Sequence, residues 1–435
     1  MFYSVKQRPE VLVGDVTRPD IQSRRLAIVT THPIQYHAPW FRQLAANCSF
    51  EVKVFYLWDF GTQARHDPGF GQALQWDLPL LEGYSHEFVP NTSRKPGTAH
   101  FGGIRNPSLL GRLHDYQPDT ALLFGYNYLS FVKLIVAGRK RRPFPLLFRG
   151  DSHRLGTSRE SGRWKGESRK LIIRQIYKRF AAFLYVGEAN REYFQMHGVP
   201  DSKLFFAPHA VDNDRFFESA KTAAGEAMAW REELGISPEH LVILFAGKFE
   251  EKKRPLELLA AFRQLDRPDV SLLFVGSGQL EADLRREAAK VANVFFAPFQ
   301  NQTQMPRTYA ACDLFVLPSS GSDESWGLAV NEAMCMGKAV VVSDQVGCGP
   351  DLVKPGQNGL VFRAGDVEAL ADTLREACRD RERLKRWGAA SRQLIGRYSY
   401  SEITKGLLNA LEHLGWKGVS QTHPSGSTAG VPDKG

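Results

Sequence analysis

The chain has 435 residues, a net charge of +9 and an ordinary apolar content of 43%, which fits a normal globular core in two or three domains. No apolar run reaches the roughly 20 residues of a membrane span, and the N-terminus lacks a signal peptide's apolar segment. Five cysteines, at 48, 312, 335, 348 and 378, form no Cys-x-x-Cys pair, so nothing points to a disulfide framework or a structural zinc site, and a reducing cytoplasm fits.

Residues 1–22 carry no period and read as an irregular extension. A short apolar strand over 26–30 runs into Thr31-His32-Pro33-Ile34-Gln35-Tyr36-His37, followed by a helix over 40–46. A second strand covers 52–57. Residues 58–107, rich in Gly, Pro and aromatics, read as an insertion of loops and short elements. Strands over 120–124 and 145–148 flank a helix over 130–142. Another strand over 182–186 precedes a helix over 189–197. This alternation predicts a parallel α/β sheet.

The charge is uneven. Residues 1–220 hold 30 Lys and Arg against 20 Asp and Glu, whereas 221–435 hold 26 against 27. Residues 131–180 alone carry 15 basic and 3 acidic side chains, densest at Arg139-Lys140-Arg141-Arg142. From Arg163 to Arg179, basic residues alternate with Leu171, Ile172, Ile173, Ile176 and Phe180 at helical spacing. Such a surface suits anionic lipid head groups; a solvated helix face or a wall for a phosphorylated acceptor is the alternative. No nucleic-acid module is present.

Residues 218–238 read as a mixed connector, after which a second alternating series begins. Strands are expected over 241–246, 271–275, 294–297, 314–317 and 339–343, and helices over 256–265, 280–290, 328–336, 367–379 and 401–414. Residues 416–435, rich in Pro, Gly, Ser and Thr, read as a disordered tail. The loop after the first of these strands is Gly247-Lys248-Phe249-Glu250-Glu251-Lys252-Lys253-Arg254, and Gly276-Ser277-Gly278 is a tight turn after the second.

The run Ser322 to Met334 places Glu324 and Glu332 eight positions apart around a Gly327-Leu328 step that opens a helix. Backbone N–H groups at such a start lack intrahelical partners and suit an anionic diphosphate. Gly327 allows close approach. Two flanking carboxylates suit sugar and ribose hydroxyls.

This pattern resembles the E-x7-E motif of glycosyltransferase family 4, the retaining glycosyl transferases of group 1. Gly337-Lys338 with the strand after it, and residues 311–319 ending in Pro318-Ser319, resemble the family's flanks. The resemblance implies the GT-B fold: two Rossmann-like α/β domains with parallel sheets facing a cleft, and a C-terminal helix crossing back to the first. The expected divisions are an extension over 1–22, an acceptor domain over 23–215, a donor domain over 216–395, a crossing helix over 396–415 and a tail over 416–435.

The implied activity is transfer of a sugar, with retention, from a nucleoside-diphosphate donor to an acceptor hydroxyl. It would serve bacterial cell-surface glycan or glycolipid assembly, with no metal and no cofactor. Glu324, Lys248, Lys253 and His153 are the expected catalytic residues. Lys248 stands where the family's loop usually has Arg, which keeps the charge but loses the bidentate fork. Gly247, Gly276, Phe299, Ser325, Trp326, Gly327, Leu328 and Glu332 are expected around the donor. His37, Gln35 and Asp151 are expected at the acceptor or cleft side, with His32 near them and His209 structural. The partners would be a nucleotide-sugar, a glycan or lipid-linked acceptor and an anionic membrane surface, on the cytoplasmic face. A nucleotide-sugar epimerase on the same fold, or a non-catalytic nucleotide-sugar binder, is the alternative.

Overall fold

Short runs of Val, Ile, Leu, Phe and Ala, each ended by Gly, Pro or a polar turn, form the strands. The central ones are buried on both faces, as parallel strands covered by helices must be. The computed structural model describes residues 24–62, 65–67, 71–138, 140–155, 163–321 and 324–419. The expected extension over 1–22, most of the expected tail, and Ser322 and Asp323 lie outside them.

The first domain contains β1 (Arg25–Thr30), β2 (Glu51–Tyr56), the antiparallel pair β3 (Arg65–Asp67) and β4 (Gln72–Leu74), β5 (Ser85–Phe88), β6 (Thr120–Phe124), β7 (Leu146–Arg149), β8 (Ala182–Tyr185) and β9 (Leu204–Phe206). Its seven-stranded parallel sheet has the order β5-β2-β1-β6-β7-β8-β9. The second contains β10 (Leu241–Ala246), β11 (Val270–Val275), β12 (Val294–Ala297), β13 (Leu314–Leu317), β14 (Ala339–Ser343) and β15 (Gly359–Phe362), in the order β12-β11-β10-β13-β14-β15. In each sheet the strand order reverses beside the domain's first strand. Chain leaving there parts to opposite faces and opens a crevice at the carboxyl ends of the strands.

Apolar clusters cover both faces of both sheets. The helix Tyr400–His413 belongs to the first domain's core, through buried Ile403, Leu407 and Leu411. Trp40 Nε1 donates to Thr404 Oγ1 at 3.0 Å within it. A Cβ on Gly406 would stand 1.9 Å from the Phe206 carbonyl oxygen, so this helix crosses onto β9 at backbone contact. The crossing ties the two ends of the chain's fold together.

Five segments differ from the sequence expectations. The connector over 218–238 is instead a helix, Asn213–Glu233, capped by Asp212, whose side chain accepts the Arg215 N–H. Its buried Phe216, Ala223, Ala227 and Trp230 recur at helical spacing. Within the expected insertion, β5 joins the main sheet beside β2. The helix Arg381–Ile395 and the edge strands β9 and β15 are additional to the elements expected.

Candidate functional site

The loops after β10 and β11 form the floor of a cleft between the domains. Gly276 has φ +142°, and a Cβ there would lie 2.0 Å from the Gly247 carbonyl oxygen; the two turns therefore pack backbone on backbone. The cleft holds about 420 Å³, within the range of small-molecule sites. Lys248, Lys253, Gly247 and Gly276 line one side, Phe299 and Met305 another, and Leu328, Ala329 and Glu332 the helix side. Gln35, Tyr36 and Trp76 complete it from the first domain.

The helix Leu328–Cys335 begins at Gly327 with φ +98° and no side-chain cap. A Cβ at Gly327 would meet Leu317 Cδ2 at 2.9 Å, so the turn both requires the left-handed conformation and has no room for a side chain. Val330 N–H bonds the Gly327 carbonyl at 2.9 Å, whereas the Leu328 and Ala329 amides ahead of it have no carbonyl within the helix to bond. Leu328 and Ala329 line the cleft together with the two lysines, a pairing suited to a diphosphate.

The two glutamates have different surroundings. Glu324 is 7% exposed. Lys253 Nζ donates to its Oε2, and Ser319 Oγ donates to the same oxygen at 2.8 Å. Burial alone would raise its pKa, but the Lys253 charge and these bonds outweigh it and hold the carboxyl below its ordinary value. Glu332 is 2% exposed. Tyr309 Oη donates to Oε2 at 2.8 Å, while Tyr36 Oη and Gln302 Nε2 donate to Oε1 at 3.2 and 3.3 Å. Here burial dominates and pushes the pKa up, against these donors and the Arg215 charge.

The first domain reaches the Glu324 loop directly. His153 Nδ1 accepts the Leu155 N–H at 3.0 Å, which assigns the Nε2 proton to the bond with the Glu324 carbonyl oxygen at 3.2 Å. Ser325 Oγ donates to Asp151 Oδ2 at 2.6 Å, and His209 Nε2 lies 3.5 Å from that oxygen. Burial works to raise the Asp151 pKa, yet His209 and Ser325 hold it below the usual carboxylate range.

The structure thus gathers Lys248, Lys253, Gly247, Gly276, Phe299, Leu328, Glu332 and Gln35 on one cleft, with Gly327 at its helix start and Glu324 joined to it by Lys253. His153 and Asp151 meet the loop that carries Glu324. Two donor-side expectations need correction. Trp326 is 3% exposed in the core, its Nε1 donating to Asn331 Oδ1 at 2.8 Å, and its ring lies against His209 and Tyr398. Ser325 is engaged with Asp151 and is not on the cleft wall. His37 is also off the wall; its ring packs 4.7 Å from that of Phe124. Burial, assisted by the Arg149 charge, pushes its pKa well below the usual value, so it is neutral at neutral pH.

Sequence reasoning did not select Tyr36, Trp76, Gln302 or Tyr309. Tyr36 stood within the loop singled out, but no local pattern marks the other three.

Residues 227–394, most of the second domain, match the family model of glycosyl transferases group 1. The chain is 29% identical over 242 residues to D-inositol 3-phosphate glycosyltransferase of Nocardia farcinica, covering 53% of this chain and 52% of that protein. It is 33% identical over 249 residues to the GDP-mannose-dependent monoacylated alpha-(1-6)-phosphatidylinositol monomannoside mannosyltransferase of Corynebacterium glutamicum, covering 55% and 64%. The chain thus spans about half the length of the first of these relatives and under two thirds of the second. Among solved structures it is similar to HepE of Anabaena in complex with UDP and glucose, at 19% identity and a TM-score of 0.64, over 89% of this chain and 99% of that one. A glycosyltransferase from Rickettsia africae gives 14% identity and a TM-score of 0.67, over 90% and 99%. These likenesses show the fold, which is GT-B.

Proposed function

We propose that the cleft binds a nucleoside-diphosphate sugar and that the chain is a retaining glycosyltransferase of family 4. The observation that carries this reading is the convergence of Lys248, Lys253 and the first turn of the helix Leu328–Cys335 on one cleft. Together they supply the counter-charge for a departing diphosphate, a stabilisation that grows as the bond to the sugar breaks. In this reading no metal is required. Glu332 holds the ribose, Phe299 and Trp76 flank the base, and Glu324 holds hydroxyls of the transferred sugar. Lys253 moves its charge from Glu324 to the phosphates when donor enters. His153 fixes the Glu324 loop against the first domain, and the acceptor hydroxyl attacks on the face the diphosphate leaves.

The acceptor is a glycan or lipid-linked glycan presented at an anionic membrane face, the inner face in a bacterial cell. Two observations support this. The helix Arg163–Tyr177 exposes Leu171 and Ile172 at 56% and 61%. Around them Arg169, Lys170, Arg174, Lys178 and Arg179 form no ion pair with any described carboxylate, whereas surface arginines of the second domain such as Arg285, Arg286, Arg375 and Arg379 do. Exposed aliphatics among cations that pair with no described carboxylate suit a lipid surface.

The test is incubation with UDP-, GDP- and ADP-sugars and a bacterial lipid extract, with radiolabel in the sugar. Label should enter the lipid-linked fraction, and Glu324→Gln should abolish it. Formation of an epimer without transfer would replace the reading with the isomerase alternative.

A further inference from the structure

Among the three groups that bond Glu332, two belong to its own domain and one comes from the other domain. Tyr309 is fully buried beneath the cleft, and its hydroxyl is spent on Glu332 Oε2. Gln302 is 5% exposed, with its amide oxygen held by Arg215 Nη2 at 2.9 Å. Both belong to the second domain, as Glu332 does, and are buried in it. Tyr36 belongs to the other domain. It sits on the loop between β1 and the helix Ala38–Asn47, is half-buried, and lines the cleft. Its hydroxyl reaches 296 residues along the chain to Glu332 Oε1, at 3.2 Å. Burial and the Glu332 charge raise its pKa well above the ordinary value, so it is a proton donor at every working pH.

We infer that the Tyr36 hydroxyl occupies the place of a ribose hydroxyl on Glu332, and that an entering nucleotide must displace it. A buried carboxylate facing a polar cleft needs its acceptors filled. In this structure the first domain supplies the last donor; with nucleotide bound a sugar diol does. The two donors compete for Oε1, which makes Tyr36 a specificity residue. It sets how much of the ribose–Glu332 bond appears as affinity, because each ribose bond gained is offset by a Tyr36 bond lost. A 2′,3′-dideoxy nucleotide offers no such donor, so it leaves Tyr36 in place. This inference rests on the reading that Glu332 takes the ribose.

The test is a thermodynamic cycle between the Tyr36 hydroxyl and the ribose hydroxyls. Whichever of UDP, GDP and ADP raises the melting temperature most is titrated calorimetrically, with its 2′,3′-dideoxy counterpart, into wild type and Tyr36→Phe. Phenylalanine keeps the ring packed and removes only the donor. Competition predicts that Tyr36→Phe binds the ribonucleotide roughly three- to tenfold more tightly, the lower part of what a hydrogen bond to a charged group is worth. The dideoxy form should not gain, so the ribo-to-dideoxy ratio rises by the same factor. An unchanged or smaller ratio in Tyr36→Phe overturns the inference. If ribo and dideoxy forms bind equally to both proteins, or no nucleotide binds, the placement of ribose on Glu332 fails instead. Equal melting temperatures of the two unliganded proteins, within a few degrees, separate either result from a folding defect; if Tyr36→Phe melts lower, both proteins are titrated well below the lower transition, where the same rise in ratio is expected and its absence still overturns the inference.

Discussion

Replacing Lys253 by Met removes the cation that faces Glu324 while leaving the carboxylate buried. The Lys253 and Glu324 side chains are only 18% and 9% exposed, and truncating one partner of a buried pair costs about 3–5 kcal/mol. Because Lys253 lines an open cleft, water solvates the orphaned carboxylate in part, and the low end, about 3 kcal/mol, is expected. In a domain of this size that corresponds to a fall in melting temperature of roughly 6–12 °C. Glu324→Gln leaves a cation near the cleft mouth, where it is more easily hydrated, and should cost about 1 kcal/mol. The double variant has no buried charge to strand. It should therefore be more stable than Lys253→Met alone, with a coupling of about 2 kcal/mol. Scanning calorimetry of the four proteins at neutral pH measures this. The Lys253→Met deficit should also shrink at pH 5, since a carboxyl without its cation is raised by burial and takes up a proton. The double variant should be no more active than either single one. Additive losses, with no recovery in the double variant, would refute the claim that Lys253 neutralises the buried Glu324.

Asp351 gives a pH-dependent prediction. Its carboxylate accepts the Glu188 N–H across the domain boundary at 3.1–3.2 Å and the Tyr398 hydroxyl at 3.2 Å, and burial pushes its pKa up to about 6. A folded value above the unfolded one means wild type loses stability as pH rises from about 4 towards 7, so Asp351→Asn should gain about 3 kcal/mol relative to wild type across that range, as read from urea unfolding; a flat difference would contradict it. Gly406→Ala should cost about 2–3 kcal/mol by driving a methyl into the Phe206 carbonyl, and a change within 0.5 kcal/mol in thermal unfolding would show that the crossing helix tolerates a shift. Leu171→Glu with Ile172→Glu should reduce co-sedimentation with phosphatidylglycerol vesicles at least tenfold while leaving the melting temperature within a few degrees, because both side chains are exposed; equal binding would remove the helix Arg163–Tyr177 from the membrane face.

The strand–helix alternation was legible because the central parallel strands are short, mostly apolar runs, whereas the edge strand β5, Ser85–Phe88, is not. The Gly247–Lys253 loop and the Gly327 helix start were legible because their chemistry is local: a glycine for backbone approach, a lysine for charge, an uncapped helix end. The surroundings of Glu332 were not. Tyr309 and Gln302 reach it from the helix Met305–Ala310 and the turn before it, and Tyr36 reaches it only because the domains close on one another. Trp326 misled for a related reason. It adjoins Gly327 in sequence, yet its side chain turns under His209 and Tyr398, and adjacency along a loop does not say which side faces the cleft. The helix Asn213–Glu233 was missed because three of its five buried positions are alanine or asparagine, which leaves a faint period.

The central claim is that two lysines and a helix start form a diphosphate cradle between the domains. A crystal structure with a bound nucleoside diphosphate tests it most directly. The account predicts phosphate oxygens within hydrogen-bonding distance of Lys248 Nζ, Lys253 Nζ and the Leu328 or Ala329 amide, with Lys253 drawn away from Glu324. Phosphates bound elsewhere, with the Lys253–Glu324 pair intact, would contradict it.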